Sequence, residues 1–182
     1  MDEVIEFRSI GAIRTPYIDN APYQPVDDDE GDFRLVLQPK YRDALRDLDA
    51  FTYIYVIYYI DRITSDPSNV VRPSWIPSME VGLFASRTPV RPNPVGLSVV
   101  RVKEVTGNEI RTTGLDVFDG TPLLDIKPYI QELDSKKDAN YGWLDYLGRS
   151  SRDHLMLHIK GIPHEYEERN IQREGNRDRI SS

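Results

Sequence analysis

The sequence predicts a mainly β fold, closed or sandwiched, with one short helix and an extended C-terminal segment. Three observations predict it. The first 130 residues hold many short apolar runs separated by Gly, Asn or Pro, which is the punctuation of strands and turns. Only one stretch among them carries helical spacing. No strand–helix alternation of the kind that builds a parallel sheet is present.

In chain order, Val4 to Ile13 is a β-rich opening that ends at Thr15-Pro16, where proline removes a ladder donor. Residues 20–32 form a loop with prolines at 22 and 25, an acidic run at 27–30 and Gly31. Phe33 to Leu37 is a short strand. Pro39 to Asp49 reads as a helix, because proline suits the first turn and Tyr41, Ala44, Leu45 and Leu48 recur at spacings of three and four. Thr52 to Ile60, dense in Tyr, Ile and Val, predicts a strand buried on both faces. Further strands are expected over Met79 to Ala85, Val95 to Val105, Glu109 to Phe118 and Leu123 to Ile130, with a hairpin at Gly107-Asn108. His154 to Lys160 alternates as one more strand. Glu167 to Ser182 is a polar tail.

The 182 residues are 39% hydrophobic and 29% charged, which suits one soluble domain with a sizeable core. Against 23 basic residues stand 30 acidic ones, a formal net charge of −7, which excludes nonspecific DNA coating but not a local basic patch. There is no cysteine, hence no disulfide framework, thiolate zinc site or Cys nucleophile. The opening residues show neither a basic n-region nor an apolar h-region, so no signal peptide is expected. The most apolar run, Phe51 to Ile60, is about half of what a bilayer span needs, so a cytoplasmic protein away from membranes is expected. Neither a dinucleotide fingerprint nor a P-loop occurs. His154 and His158 have no further ligands at metal-binding spacing, and no metal is expected.

Two stretches concentrate the chemistry. Gly82 to Ser98 reads GLFASRTPVRPNPVGLS, with three prolines fixing φ in a loop that holds Arg87, Arg91 and Asn93. Such a stiff loop presents two guanidiniums and an amide with little entropy left to lose on binding. It reads either as a preorganised pocket for a carboxylate, phosphate or planar base, or as a turn whose arginines pair with the acidic surplus. Asp116 to Tyr129 reads DVFDGTPLLDIKPY, where Asp119-Gly120-Thr121-Pro122 is a turn. Asp125 and Lys127 lie two apart and project to one face of a strand, as a polar site or as a simple ion pair.

Together these stretches resemble the signature of the TrmO/TsaA-like family of S-adenosylmethionine-dependent tRNA adenine N6-methyltransferases. The family pattern runs roughly G-v-F-A-t-R-S-P-x-R-P-N-P-I-G-L-S and then D-x-x-D-G-T-P-v-L-D-I-K-P-Y. The chain matches almost throughout, with Thr88 in place of the usual serine, and Ile10 to Pro16 is similar to the family's first strand. The resemblance covers about residues 5–130. It implies a small closed β-barrel over residues 1–130 with an extension over 131–182 packed on the barrel or on a dimer partner. It also implies a homodimer with S-adenosyl-L-methionine near the subunit interface, and N6 of threonylcarbamoyladenosine 37 in the tRNA anticodon loop as methyl acceptor. Another RNA or small-molecule acceptor, or a non-catalytic cofactor-binding regulator, are the alternatives. Carried over by position, the resemblance puts Pro22, Tyr23, Gln24, Asp61, Arg62, Arg87, Arg91, Asn93, Leu97, Asp119, Gly120, Thr121 and Pro122 at the cofactor. It puts Lys127 and Tyr129 towards cofactor or tRNA. Because a ureido N–H is more acidic than a plain amine, a carboxylate suffices as general base, with Asp119 or Asp125 the candidates. The chain departs from the family in carrying Tyr23 for the arginine of P-R-Q, and Tyr53 and Asp61 where histidines are usual.

Overall fold

The computed structural model of the chain describes residues 4–22, 30–73, 76 and 78–147. Tyr23 and Gln24, the strand expected over His154 to Lys160 and the polar tail lie outside these residues.

Six strands pair in a ring. They are β1 (Gly11–Arg14), β2 (Arg34–Leu37), β3 (Tyr53–Tyr59), β6 (Val95–Thr106), β7 (Glu109–Thr112) and β8 (Pro122–Pro128). The order is β1-β2-β7-β6-β3-β8, every pairing is antiparallel, and β8 returns to β1 through Gly11↔Leu123 and Ala12↔Pro122. A two-stranded sheet, β4 (Val70–Val71) with β5 (Val81–Gly82), stands apart. The mainly β expectation therefore holds, with the β6–β7 hairpin turning at Gly107, whose φ of 64° suits glycine.

The core is the inside of the ring. Ile13, Leu35, Ile54, Val56, Val100, Ile110 and Leu123 are buried there, and Phe33, Leu115 and Val117 join them from the connecting segments. Each such side chain contributes about 1.5–3 kcal/mol by leaving water.

Several expectations need correction. The strand at Tyr53–Tyr59 is not buried on both faces: Ile54, Val56 and Tyr58 point inward, whereas Tyr53, Tyr55 and Ile57 are half-buried and Tyr59 is exposed. An unbroken Tyr/Ile/Val run does not reveal that a ring has only one interior and needs no second apolar layer. The expected helix is two short 3₁₀ turns, Pro39–Leu45 and Leu48–Ala50, separated at Asp47, whose φ of 65° interrupts the helical path. The strand expected over residues 79–85 shortens to β5 followed by a 3₁₀ turn at Leu83–Ala85. Likewise the 109–118 strand stops at Thr112, after which the chain crosses the end of the ring, and the opening strand narrows to Gly11–Arg14.

Beyond β8, helix α1 (Gln131–Asp134) and a 3₁₀ turn at Gly142–Tyr146 lead back towards the proline-rich loop. The Trp143 indole N–H donates to the Ala85 carbonyl at 2.8 Å.

Candidate functional site

Residues 116–122 close one end of the ring, and two groups of polar side chains are assembled around them. The first centres on Asp119. Its Oδ2 accepts from Arg14 at 3.1 Å and its Oδ1 accepts from the Thr15 backbone N–H at 3.2 Å. The Asp119 N–H donates to Tyr17 O, and the Gly120 N–H donates to Ile13 O. Gly120 adopts a φ of 85°, the left-handed conformation this turn requires. Thr121 is buried and donates its hydroxyl back to Phe118 O, which locks the turn before Pro122 starts β8. Arg62, just past β3, reaches across to donate to the carbonyls of Ile18 and Asp119 while its guanidinium stacks 4.4 Å from the Phe118 ring.

Thus the structure brings Arg62, Asp119, Gly120, Thr121 and Pro122 together, and it adds Arg14, which sequence reasoning missed. Asp61 is exposed in the turn beside Arg62. Pro22 ends the described part of the loop leading away from this corner.

The second group centres on Asp116. Tyr58 from β3 and Ser98 from β6 meet inside the ring, hydroxyl to hydroxyl at 3.2 Å. They fit because Gly96, opposite Tyr58 in the β3–β6 register, has no side chain: a Cβ there would lie 2.0 Å from the edge of the Tyr58 ring. Burial pushes the Tyr58 hydroxyl up to about 12, with the Asp116 charge adding to the shift. Burial also raises the Asp116 carboxyl; its own backbone, the Arg87 guanidinium and the Ser98 hydroxyl act in the lowering direction. Asp116 Oδ1 is buried and has no hydrogen-bond partner. Sequence reasoning missed Asp116, Ser98 and Tyr58 as site residues, although the motif segments contain the first two. The available signal was a carboxylate set between two apolar residues, Leu115 and Val117, that both prove buried.

The proline-rich loop divides its two arginines. Arg91 is turned onto its own loop, donating to Ser86 O at 3.0 Å and lying over Phe84. Arg87 is exposed and acts on Asp116. Asn93 is exposed between the two prolines, and Leu97 stands outward on β6 opposite Ile57, 60% exposed.

Asp125 and Lys127 form the simple ion pair that their spacing allowed, at 2.6 Å along β8, and Asp125 Oδ1 also accepts from the Ile126 N–H. Tyr129 packs edge-on to Tyr53 and against Tyr55, and Arg101 stacks on Tyr53 and donates to its hydroxyl. Both candidate bases, Asp119 and Asp125, therefore have each carboxylate oxygen engaged.

A groove of about 430 Å³ crosses β2, β7 and β6 and is lined by Asp32, Arg34, Glu104, Thr106, Glu109 and Arg111. Its charges pair with one another (Arg34 with Asp32 and Glu109, Arg111 with Glu104), and none of the sequence-predicted residues lines it. Among the described residues no three His, Asp or Glu side chains come together as metal ligands, and no helix is long and apolar enough to cross a membrane.

The corner at 116–122 holds a cation–carboxylate network beside an orphaned buried carboxylate oxygen and an exposed arginine, a donor set suited to a polar, zwitterionic nucleoside. Residues 12–135 match the tRNA-methyltransferase O N-terminal domain. A probable S-adenosyl-L-methionine-binding protein of Archaeoglobus fulgidus is 38% identical over 160 residues, 86% of this chain and 43% of that protein. One from Pyrococcus abyssi is 37% identical over 78% of this chain and 77% of its own length. The Escherichia coli tRNA (adenine(37)-N6)-methyltransferase is 34% identical over 74% of this chain and 62% of its own length. A crystal structure of TrmO superposes with a TM-score of 0.65 at 28% identity, covering 77% of this chain and 64% of that one. The chain thus spans less than half of the Archaeoglobus relative and just under two thirds of the E. coli enzyme. With the family domain matched over residues 12–135 and relatives of 34–38% identity, the chain belongs to the tRNA-methyltransferase O (TrmO/TsaA-like) family.

Proposed function

We propose that this chain binds S-adenosyl-L-methionine at the 116–122 corner and methylates N6 of adenine 37 in tRNA, with threonylcarbamoyladenosine as the acceptor. The observation that carries the reading is the convergence of Arg14, Arg62 and the Asp119–Pro122 turn, drawn from separate stretches of sequence, at one end of the ring. The residues present fit the cofactor: it bears a carboxylate, an ammonium and a sulfonium, and the corner offers guanidiniums and a carboxylate oxygen that lacks a partner. When bound, the cofactor supplies an electrophilic methyl group. The protein's own contribution is positional: the Asp119 network fixes the turn, the prolines at 89, 92 and 94 hold the loop that carries Arg87, and little ordering remains to be done on binding. Lys127, Arg101 and Tyr129 on the outer face of β8, β3 and β6 are suited to an RNA backbone and bases.

The six-stranded ring reads as a small barrel, and its outer β3–β6 face reads as the contact between two copies. Tyr59, Leu97 and Val99 are 43%, 60% and 41% exposed there, a patch of the apolar kind that subunits cover. Leu97 stands on that same face, so a role for it at the cofactor calls for a second copy over the patch.

The deciding experiment is transfer of labelled methyl from S-adenosyl-L-methionine to tRNA with and without threonylcarbamoyl at position 37. Label only in the modified tRNA supports the reading; equal label in both removes the acceptor assignment. Saturable cofactor binding with no transfer would leave a binding protein, the reading favoured by the tyrosines and Asp61 that replace basic residues of the family pattern.

A further inference from the structure

The 3₁₀ turn at Gly142–Tyr146 lies beyond the family-matched residues 12–135, yet it reaches back to the proline-rich loop. The turn is fixed locally. Asn140 Oδ1 accepts from the Gly142 N–H at 3.1 Å, and the Leu144 and Leu147 N–H groups donate to Tyr141 O and Leu144 O. Its aromatic side chains divide. Tyr141 and Tyr146 are 61% and 87% exposed, whereas Trp143 is half-buried and donates its indole N–H to Ala85 O at 2.8 Å. An indole offers one donor and no acceptor, so this contact commits its single polar group.

The loop has use for such a partner because its two halves are stiffened differently. Pro89, Pro92 and Pro94 fix φ in the second half, and Pro89 also restricts Thr88. Residues 84–87 contain no proline, and Arg87 stands among them. There the backbone is held by hydrogen bonds. Leu83 O accepts from the Ser86 N–H and, at 2.8 Å, from the Ser86 hydroxyl, and Ser86 O accepts from Arg91 at 3.0 Å. The Ala85 carbonyl, two residues before Arg87, is met by Trp143. At the loop's entry the Leu83 N–H donates to Asn69 O beside β4, and at its exit Pro94 O accepts from the Ile60 N–H. Among the described residues, Trp143 is thus what hydrogen-bonds residues 84–93 to a distant part of the chain. The core of the ring includes neither Trp143 nor the 83–85 turn, so the contact orders the loop and does not build the core.

We propose that Trp143 is a positioning residue for the cofactor site: by holding Ala85 O it sets the backbone that carries Arg87. The segment after the family domain thereby completes the loop from outside that domain. The role rests on the cofactor reading above and adds to it a residue that the matched domain does not contain.

Calorimetric titration of the full chain with S-adenosylhomocysteine, unmodified and as Trp143→Phe, tests this. Phenylalanine keeps an aromatic ring and removes the donor. A hydrogen bond between neutral groups corresponds to about a 2–10-fold change in an equilibrium constant. Trp143→Phe should therefore bind S-adenosylhomocysteine weaker by about that factor, and the backbone amides of residues 84–88 should exchange with solvent faster. The ligand-free melting midpoint should stay at that of the unmodified protein. A merely structural contact gives the opposite split, a lowered midpoint with affinity retained, and that result overturns the proposal. Because coupling between two events is reciprocal, bound S-adenosylhomocysteine should in turn slow exchange of the Trp143 indole proton in the unmodified protein. That measurement decides the matter should the variant not fold, and an indole proton indifferent to the ligand overturns the role. Equal binding by the unmodified protein and the variant leaves the cofactor reading standing and removes Trp143 from it. No binding by the unmodified protein ends both.

Discussion

Asp119 and Asp116 lie one short turn apart in the chain and are built in opposite ways. Around Asp119 every polar group is answered: Arg14 and Thr15 on its oxygens, Tyr17 on its N–H, Arg62 on its carbonyl. Around Asp116 one buried oxygen has no hydrogen-bond partner. A saturated network holds a shape and resists change, whereas an unsaturated one stores an unfavourable term that a ligand can relieve. On the proposed cofactor reading, the difference separates the part of the corner that builds the pocket from the part left for an occupant. It also shows that membership of a signature motif does not by itself tell these two roles apart.

Removing the space on which the second site rests has the largest expected effect. Gly96→Ala drives a Cβ to 2.0 Å from the Tyr58 ring, and Tyr58 is only 7% exposed and paired to Ser98. Overpacking of this kind costs about 1–3 kcal/mol or more, and both folding stability and cofactor affinity should fall. Denaturant melts would show it, and an unchanged midpoint would mean that the Tyr58 ring yields to the added methyl. Next in size is Asp119→Ala. Two hydrogen bonds and a partly buried ion pair are lost with Arg14 and the Thr15 N–H left behind, which should cost about 1–3 kcal/mol and lower the melting temperature by a few degrees for each of them. A variant as stable as the unmodified protein would end the claim that this half of the corner is scaffold.

What the sequence made legible follows the same division. Features fixed by local backbone chemistry were readable: the stiff loop of Pro89, Pro92 and Pro94, the Asp119-Gly120 turn, the Gly107-Asn108 hairpin, the Asp125–Lys127 pair at its two-residue spacing. Features fixed by distant partners were not. Whether Asp119 or Asp116 ends up satisfied depends on Arg14 and Thr15, more than 100 residues away in the chain, and no spacing rule reports that. The same limit explains Arg91, which looked equivalent to Arg87 until its guanidinium proved to be turned back onto Ser86 O and Phe84. It explains β3 too, since the identity of Tyr55 and Ile57 cannot say which face of the strand the ring encloses.

Asp116→Asn should separate the two halves by sign. Burial raises the Asp116 carboxyl in the folded protein, so the native state holds its proton more readily than the unfolded chain does. Stability from this group therefore declines as pH rises from the ordinary carboxylate range through the raised value, and it is recovered on acidification. The amide carries no charge to bury. Ligand-free Asp116→Asn should thus melt at or above the unmodified protein at pH 7, with the gap narrowing towards acid, while its cofactor affinity falls. Loss of stability at pH 7 together with loss of binding would make Asp116 a second Asp119, and the contrast between the two would disappear.

The smallest effect belongs to the outer face, where Lys127 and Asp125 are 62% and 46% exposed. An ion pair so open to water is worth roughly 0.2–1 kcal/mol, and a double-mutant cycle on Lys127→Ala and Asp125→Ala should return no more than that. Its consequence for tRNA is a different matter, because a lysine that neutralises a phosphate releases a counterion whatever its worth to the fold. If Lys127 meets the RNA backbone, Lys127→Ala should reduce the slope of log affinity against log salt by about one, evenly across tRNA sequences and with cofactor binding untouched. An unchanged slope would remove Lys127 from the RNA contact and leave it as the partner of Asp125 alone. In that case the outer face would be saturated like the Asp119 network.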